Sequence, residues 1–262
     1  MKAIITTLIL TALLVSCKQN THSPEVAPTP APVVKKYPSA MDAIFKAHGG
    51  IDTWNTMNNL CFTIEKKEGN ETHKVDLKSR KSRIETSKFT LGFDGEKVWL
   101  DQDSTYFAPQ KARFYHNLMF YFYAMPYVLG DEGINYEPAK SIEFNGVTYP
   151  GTKVSFESGI GDSPKDEYLI YSDPKTNEMA WLAYTVTFFN KQEKGSEFSY
   201  IKYDQWVETN GLKLPTKLQW YKFEDGSPTE MVNEYTFIKP SVTKTVLEPS
   251  IFMKPESGKF AE

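Results

Sequence analysis

The sequence contains few of the residues from which metal sites, disulfides and thiol chemistry are built. Only two cysteines, Cys17 and Cys61, occur in 262 residues, and the four histidines are scattered along the chain. No HExxH, CxxC or GxSxG pattern is present, so the signatures of zinc peptidases, thiol oxidoreductases and α/β-hydrolases are missing. We therefore expect no enzyme activity, no catalytic residues, no metal and no cofactor.

The carboxylates do not change this expectation. Asp101 and Asp103, and Asp162 with Asp166 and Glu167, stand beside predicted turns, where we interpret them as solvated loop charges. Weak calcium contact at such a loop is one alternative. A pair of carboxylates that face each other across a cleft, as in a hydrolase with dispersed residues, is another.

Strong charge and long apolar segments are also missing. The formal net charge is only −3, which disfavours a nucleic-acid partner and electrostatic attachment to a membrane surface. The apolar run from Ala3 to Leu13 is too short to span a bilayer as a permanent helix. Together with Lys2 it has the layout of a secretory signal. The overall composition, 40% hydrophobic and 24% charged, is that of a folded domain.

The signal ends in Leu14-Val15-Ser16-Cys17, with small residues before the cysteine. This segment resembles the lipobox of bacterial lipoproteins. The resemblance implies cleavage before Cys17 and a diacylglycerol on its sulfur, so that acyl chains such as palmitate anchor the protein to a membrane. An ordinary signal peptide with an accidental cysteine is the alternative. Residues 1–16 are then the signal peptide, and residues 17–38, which are rich in proline, form a semi-rigid tether.

Residues 39–262 form the predicted folded body. A helix is expected from Ser39 to the stop signal Gly49-Gly50. Beyond Leu60, alternating runs are separated by turn pairs such as Asp94-Gly95 and Asn145-Gly146, which predict hairpins and a mainly β, antiparallel sheet. The predicted strands are Leu60–Lys67, His73–Ser79, Ser82–Thr86, Thr90–Phe93, Lys97–Asp101, Lys153–Glu157, Glu167–Ser172, Trp181–Asn190, Ser196–Trp206, Lys213–Phe223 and Met231–Ile238.

The segment from Lys111 to Leu129 breaks the alternation. Its length and its aromatic residues on nearly every face indicate a buried helix, in two pieces divided before Pro126. Such a helix must be covered, and we expect it against the concave side of the sheet. It either completes the core or borders an apolar cavity.

Five segments follow one another in an order that is informative. Phe93–Trp99 contains DG-x-x-hydrophobic-W, Pro126–Leu129 is a Pro-hydrophobic-Leu element, and Tyr168–Thr176 contains D-x-x-T. Val207–Pro215 ends in x-G-x-x-hydrophobic-P, and Ile251–Glu256 contains F-x-x-P. Their order is similar to that of the lipoprotein-carrier superfamily, which includes LolA and LolB. The resemblance implies a curved, open antiparallel half-barrel, with a few helices over a hollow that holds acyl chains or other apolar ligands.

A cavity of this kind would be lined by large apolar residues of the helix and the sheet. The candidates are Trp99, Phe114, Leu118, Phe122, Met125, Tyr184, Val186, Phe188, Tyr200 and Trp220. Each of them would also suit an ordinary core, and this alternative stays open.

The sequence as a whole predicts a membrane-anchored periplasmic lipoprotein that binds a lipid, a lipoprotein acyl chain or another apolar ligand in a half-barrel cavity. The alternative is a non-catalytic structural or assembly module of the envelope that has a protein partner. Lys18 stands where an aspartate often retains lipoproteins at the inner membrane, so the outer membrane is favoured. No acidic cluster follows Cys17, which favours a body that faces the periplasm.

Overall fold

A computed structural model of the chain describes residues 37–157, 165–188 and 197–261, and within them thirteen strands form one antiparallel sheet. The strands are β1 (Asn59–Ile64), β2 (Glu71–Asp76), β3 (Ser82–Glu85), β4 (Phe89–Phe93), β5 (Val98–Gln102), β6 (Ile134–Phe144), β7 (Val147–Phe156), β8 (Tyr168–Ser172), β9 (Met179–Tyr184), β10 (Ser199–Thr209), β11 (Leu212–Glu224), β12 (Ser227–Thr243) and β13 (Lys259–Phe260). The spatial order is β13-β5-β4-β3-β2-β1-β12-β11-β10-β9-β8-β7-β6.

The sheet is open and curved, because it ends in two edge strands, β13 and β6, and its register is interrupted by bulges. One bulge lies between Cys61 and Thr63, where β1 pairs with β12, and another lies between Ala139 and Ile142, where β6 pairs with β7. A bulge bends its strand and increases the local twist. The predicted fold class, a mainly β, open antiparallel half-barrel with a few helices, is confirmed.

Several hairpin turns follow directly from their residues. Asn145-Gly146, Asn210-Gly211 and Asp225-Gly226 all have positive φ at both positions, with values between 50° and 85°. That conformation matches the right-handed twist of paired strands, and asparagine, aspartate and glycine adopt it at the lowest cost. These turns join β6 to β7, β10 to β11 and β11 to β12.

The largest difference from the sequence prediction lies in β6 and the first half of β7. No strand was expected before Lys153 in this region, although the Asn145-Gly146 turn was recognised. β6 contains Pro138 and is mostly polar, with few buried positions. An edge strand needs hydrogen bonds on one side only and can face water, so it tolerates proline and lacks the apolar alternation that predicts a strand.

The first helix, α1 (Ser39–Ala47), ends at the predicted glycines. Gly49 has a φ of +102°, and a Cβ atom there would lie 1.9 Å from the carbonyl oxygen of Gly211, so only glycine fits this contact. Beside it, the buried His48 accepts a hydrogen bond from the amide of Met179 through Nε2. Burial, aided by the charge of Lys213, lowers the pKa of His48 to about 3. A short helix, α2 (Ile51–Asn55), follows.

The central helix, α3 (Pro109–Tyr123), covers one face of the sheet. A 3-10 turn over Tyr127–Gly130 continues the chain, so the segment is divided near Pro126 as predicted. Met119, Phe120 and Tyr123 of α3 are buried in the main core against the sheet. Most of the concave face is therefore filled by the helix itself.

The described residues from Tyr37 onwards belong to one compact unit, and the Tyr37 hydroxyl donates to the carbonyl of Gly130. The predicted signal peptide of residues 1–16, Cys17, and the predicted tether up to residue 36 lie outside the described residues.

Candidate functional site

An apolar cleft lies between α3 and one flank of the sheet, and we call it the α3 cleft. Its helix wall is formed by Phe114, Leu118 and Phe122, which share one side of α3 at successive spacings of four residues. Tyr168 and Tyr184 of β8 and β9 contribute to the opposite wall. The cavity volume is about 140 Å³. An apolar cavity of about 150 Å³ can hold benzene, so the cleft has room for a section of hydrocarbon chain.

Six of the ten predicted lining residues lie in the wall of the α3 cleft: Phe114, Leu118, Phe122, Tyr184, Val186 and Phe188. The ring of Phe114 lies 5.3 Å from that of Phe188, and the ring of Phe122 lies 4.8 Å from that of Tyr184, measured between centroids. The helix wall and the sheet wall therefore touch in two places, and the space between these contacts is bordered mainly by aromatic and aliphatic groups.

The structure places the other four residues outside this wall. Trp220 stands behind it and donates its indole N–H to the Tyr184 hydroxyl over 3.1 Å, and Met125 is buried in the main core. Trp99 and Tyr200 lie on the other face of the sheet. Successive strand residues face opposite sides, so a position one residue away from an inward-facing neighbour points away from the cleft.

Trp99 instead stabilises the β4–β5 hairpin that contains the Phe93–Trp99 motif. Its ring covers Gly92, where a Cβ atom would lie 2.3 Å from the ring, and its indole N–H donates to the carbonyl of Phe252 over 2.8 Å. The Asp94 carboxylate accepts from the amides of Glu96 and Lys97 in the same turn. This motif therefore stabilises the β4–β5 hairpin and its contact with the chain segment at Phe252.

One polar side chain at the cleft was missed in the sequence. Asp166 was interpreted as a solvated loop charge, but it borders the α3 cleft and is only 9% exposed. Its Oδ1 atom accepts from the amide and the hydroxyl of Thr187 over 2.6 and 2.7 Å. Burial raises the pKa of Asp166, and the two Thr187 donors offset only part of this effect. Asp162, interpreted in the same way, lies outside the described residues.

The other flank of α3 contains a buried charged network, which we call the Glu71 network. Glu71 and His73 of β2 are 2% and 1% exposed, and His73 Nε2 lies 2.8 Å from Glu71 Oε1. Lys66 Nζ lies 2.6 Å from the other carboxylate oxygen. From α3, the Tyr115 hydroxyl donates to Glu71 over 2.7 Å and accepts from Lys66 over 3.0 Å.

The electrostatics of this network keep Glu71 ionised. Burial alone would raise the pKa of Glu71, but the hydrogen bond from His73 and the charged Lys66 outweigh it and lower the pKa to about 2. Burial lowers the pKa of His73, so its neutral ring donates Nε2–H to the carboxylate. Glu71 thereby accepts from Lys66, His73 and Tyr115, and Lys66 also donates to the Tyr115 hydroxyl, which suits a network that positions α3.

The described residues give little support to other kinds of site. Across residues 37–157, 165–188 and 197–261, no group of three or more histidine, cysteine, aspartate or glutamate side chains could hold a metal ion. Burial raises the pKa of the half-buried Cys61 thiol, the opposite of what a nucleophile needs. No helix in this part of the chain is long and apolar enough to cross a membrane.

Comparison with known families and structures gives one family match and several matches of fold. The model of a family of unknown function, DUF6503, matches residues 87–227, more than half of the chain. No curated protein matches the sequence.

Three solved structures resemble the fold. A DUF1329 family protein from Desulfovibrio piger is 10% identical at a TM-score of 0.48 and covers 82% of this chain and 95% of its own. A LolA superfamily protein from Nitrosomonas europaea is 9% identical at a TM-score of 0.44, and the match covers 75% of this chain and 88% of that protein. A domain from Vibrio parahaemolyticus, described as a putative outer membrane lipoprotein-sorting protein domain, is 10% identical at a TM-score of 0.38. The match covers 79% of this chain and 96% of that domain. The expected resemblance to the lipoprotein-carrier superfamily is confirmed, as a similarity of fold alone.

Proposed function

Because this chain belongs to DUF6503, a family of unknown function, its family assigns no activity, and we propose that it binds the hydrocarbon chain of a lipid or lipoprotein in the α3 cleft. The observation that carries the proposal is an apolar space of about 140 Å³ beside a helix that otherwise fills the concave face. Protein interiors are close-packed, and a void of this size sacrifices dispersion contacts along its walls. A ligand restores those contacts.

The lining favours a flexible apolar chain. Most of the wall consists of aromatic and aliphatic side chains such as Phe114, Leu118 and Val186. Six of the seventeen lining residues are polar or charged, and of these Asp166 and Asp131 are engaged by Thr187 and Arg80 within the protein. Each methylene removed from water contributes about 0.8 kcal/mol, so a segment of a few methylenes gives useful affinity without directional contacts. The cleft is smaller than the 300–1,000 Å³ of typical ligand pockets, so only part of a long acyl chain would be covered.

The location proposed for this activity follows from the sequence. The lipobox-like segment before Cys17 supports a lipid-anchored protein of the bacterial envelope, and Lys18 favours the outer membrane with the folded body in the periplasm. A fixed anchor suits a resident binder or acceptor better than a shuttle. We propose no catalytic step, since the described residues do not place a nucleophile beside a base at the cleft.

Binding of a neutral amphiphile to the full chain carrying Cys17→Ser tests the proposal, because this variant needs no detergent. Native mass spectrometry of the purified protein should show a co-purified amphiphile, and titration should show saturable binding of dodecanol. Val186→Trp fills the cleft, and displacing two or more methylenes should weaken dodecanol binding at least tenfold.

The matched control is Val232→Trp, at a strand position that is 55% exposed and away from the cleft. It should bind dodecanol as the parent does. Equal binding by both tryptophan variants, or an absence of dodecanol binding by the parent, would exclude the α3 cleft as the site.

A further inference from the structure

The two contacts that join the helix wall to the sheet wall of the α3 cleft differ in burial. One contact, which we call the floor pair, joins Phe122 to Tyr184. The other, which we call the rim pair, joins Phe114 to Phe188. Phe122 is only 4% exposed, whereas both members of the rim pair are partly exposed, and Arg113 next to Phe114 is exposed. The α3 cleft therefore has a deep end at the floor pair and a solvent-facing end at the rim pair.

The floor pair is part of the main core and is supported from behind. Phe122 is a buried member of the main core cluster, and Tyr184 packs against that cluster. The Trp220 ring lies 6.2 Å from the Phe122 ring, between centroids, and its indole N–H donates to the Tyr184 hydroxyl. The Tyr203 hydroxyl donates to the carbonyl of Phe122 over 2.7 Å. Because close-packed side chains cannot move aside without loss of contacts, the floor pair closes this end of the cleft.

The rim pair lies outside the buried clusters. In the part of the chain that the structure describes, neither Phe114 nor Phe188 belongs to the main core cluster or to the two smaller ones, and the same holds for Val186 of the sheet wall. Burial along the helix wall changes in the same direction, since Phe114 and Leu118 are partly exposed and Phe122 is buried. A chain that enters beside the rim pair therefore disturbs less of the packed core than one that enters at the floor pair.

We infer that the hydrocarbon chain enters the α3 cleft past the rim pair, ends against the floor pair, and leaves its polar head group at the rim. This inference rests on the proposed function and gives the ligand an orientation and a limit of chain length. Each methylene that leaves water should raise affinity about fourfold, whereas a methylene beyond the length of the cleft stays in water and adds nothing. Affinity should therefore rise with chain length until the chain fills the α3 cleft, and then become constant.

A series of primary alcohols from butanol to dodecanol, titrated into the full chain carrying Cys17→Ser, tests the limit of length. Affinity should increase about fourfold per methylene and become constant before dodecanol. Phe122→Leu shortens one member of the floor pair and should extend this limit by at least one methylene. The matched control is Phe114→Leu, the same change in the rim pair, which should leave the limit unchanged.

Tryptophan fluorescence of the Cys17→Ser chain tests the orientation without a change in the floor pair. An octanol brominated at its terminal carbon should place bromine, a quencher, near Trp220, which lies behind the floor pair. An octanol brominated beside its hydroxyl should place the bromine at the rim and quench less. Trp220→Phe should remove most of the difference between the two alcohols.

Affinity that still rises at dodecanol, or a limit that Phe122→Leu leaves unchanged or that Phe114→Leu shifts equally, would overturn the role of the floor pair. Equal quenching by both brominated alcohols, or stronger quenching by the one brominated beside its hydroxyl, would overturn the orientation. Each of these results would leave the proposed function intact, because the alcohols would still bind. Failure of every alcohol to bind would overturn the proposed function and this inference together.

Discussion

The two flanks of α3 differ in how the space beside the helix is used. On the flank towards β2, the buried Glu71 network joins helix and sheet through charged hydrogen bonds. On the flank towards β8 and β9, an apolar cleft of about 140 Å³ separates them. The directional bonds near β2 hold the helix in place, and this allows incomplete packing beside β8 and β9. The comparison indicates a scaffold flank and a ligand flank.

Removal of the Glu71 carboxylate, the shared acceptor of the scaffold flank, should lower the stability of the protein most strongly. Glu71→Ala leaves Lys66, His73 and Tyr115 without their shared carboxylate, and we expect the free energy of unfolding to fall by about 3 kcal/mol, since one partner of a buried ion pair is lost. Urea denaturation measures the change. The control is Glu68→Ala, which removes an exposed glutamate from its pair with Lys88 and should leave stability unchanged. A similar result for both variants would contradict a structural role for the network.

Removing the hydroxyl group of one tyrosine on each flank, Tyr115 or Tyr184, compares how much a single hydrogen bond contributes to stability on the two flanks. Tyr115→Phe removes the hydroxyl that links α3 to Glu71 and should lower stability by about 1.5 kcal/mol, because a buried charged acceptor loses a donor. Tyr184→Phe removes the acceptor of the Trp220 indole at the half-buried cleft wall, and the expected loss is about 0.5 kcal/mol. Thermal or urea unfolding measures both. A larger loss for Tyr184→Phe would reverse the assignment of the two flanks.

The pKa values of the two buried carboxylates, Glu71 and Asp166, are shifted in opposite directions from their ordinary values. Glu71, with a pKa of about 2 against about 4.5 when unfolded, contributes stability that is complete above pH 4.5 and is lost as the pH falls towards 2. Burial raises the pKa of Asp166, so its contribution is complete below pH 3.8 and is lost as the pH rises through its folded value. Carboxyl ¹³C NMR titration should therefore find Glu71 below, and Asp166 above, their ordinary values.

Stability curves of Glu71→Gln and Asp166→Asn check the same point. The acid-side decline between pH 4.5 and 2 should flatten only in Glu71→Gln, whereas Asp166→Asn should gain a small advantage at neutral pH. His48, with a pKa of about 3, adds its own loss as the pH falls from 6.5, but this loss is common to all variants and cancels in the difference. Two carboxylates that titrate alike would remove the electrostatic contrast between the flanks.

Sequence reasoning succeeded where the signal is local. The turn pair Asn145-Gly146 and the stop at Gly49-Gly50 follow from the positive φ that glycine and asparagine tolerate. Phe114, Leu118 and Phe122 were candidates for the lining of a cavity, and the structure places all three in the wall of the α3 cleft.

It failed where the environment is set by distant chain segments. Asp166 stands in a polar stretch and reads as a solvated loop charge, yet Thr187 and the cleft wall bury it. Glu71 and His73 alternate along β2 as polar residues of a solvent-facing strand would, but Tyr115 from α3 and the stacked ring of Phe62 cover that face. Trp99 and Tyr200 show how a shift of one residue along a strand moves a side chain to the other face.

The sequence by itself determined the local elements: the turns, the helix division near Pro126 and the antiparallel class, because each depends on neighbours within a few residues. Only the tertiary structure decided that the Glu71 network links α3 to β2, that the α3 cleft is open beside β8 and β9, and that Arg80 and Arg113 border one pocket. Those outcomes depend on contacts between segments far apart in the chain, and burial then changes the charge state and the hydrogen bonding that each side chain can sustain.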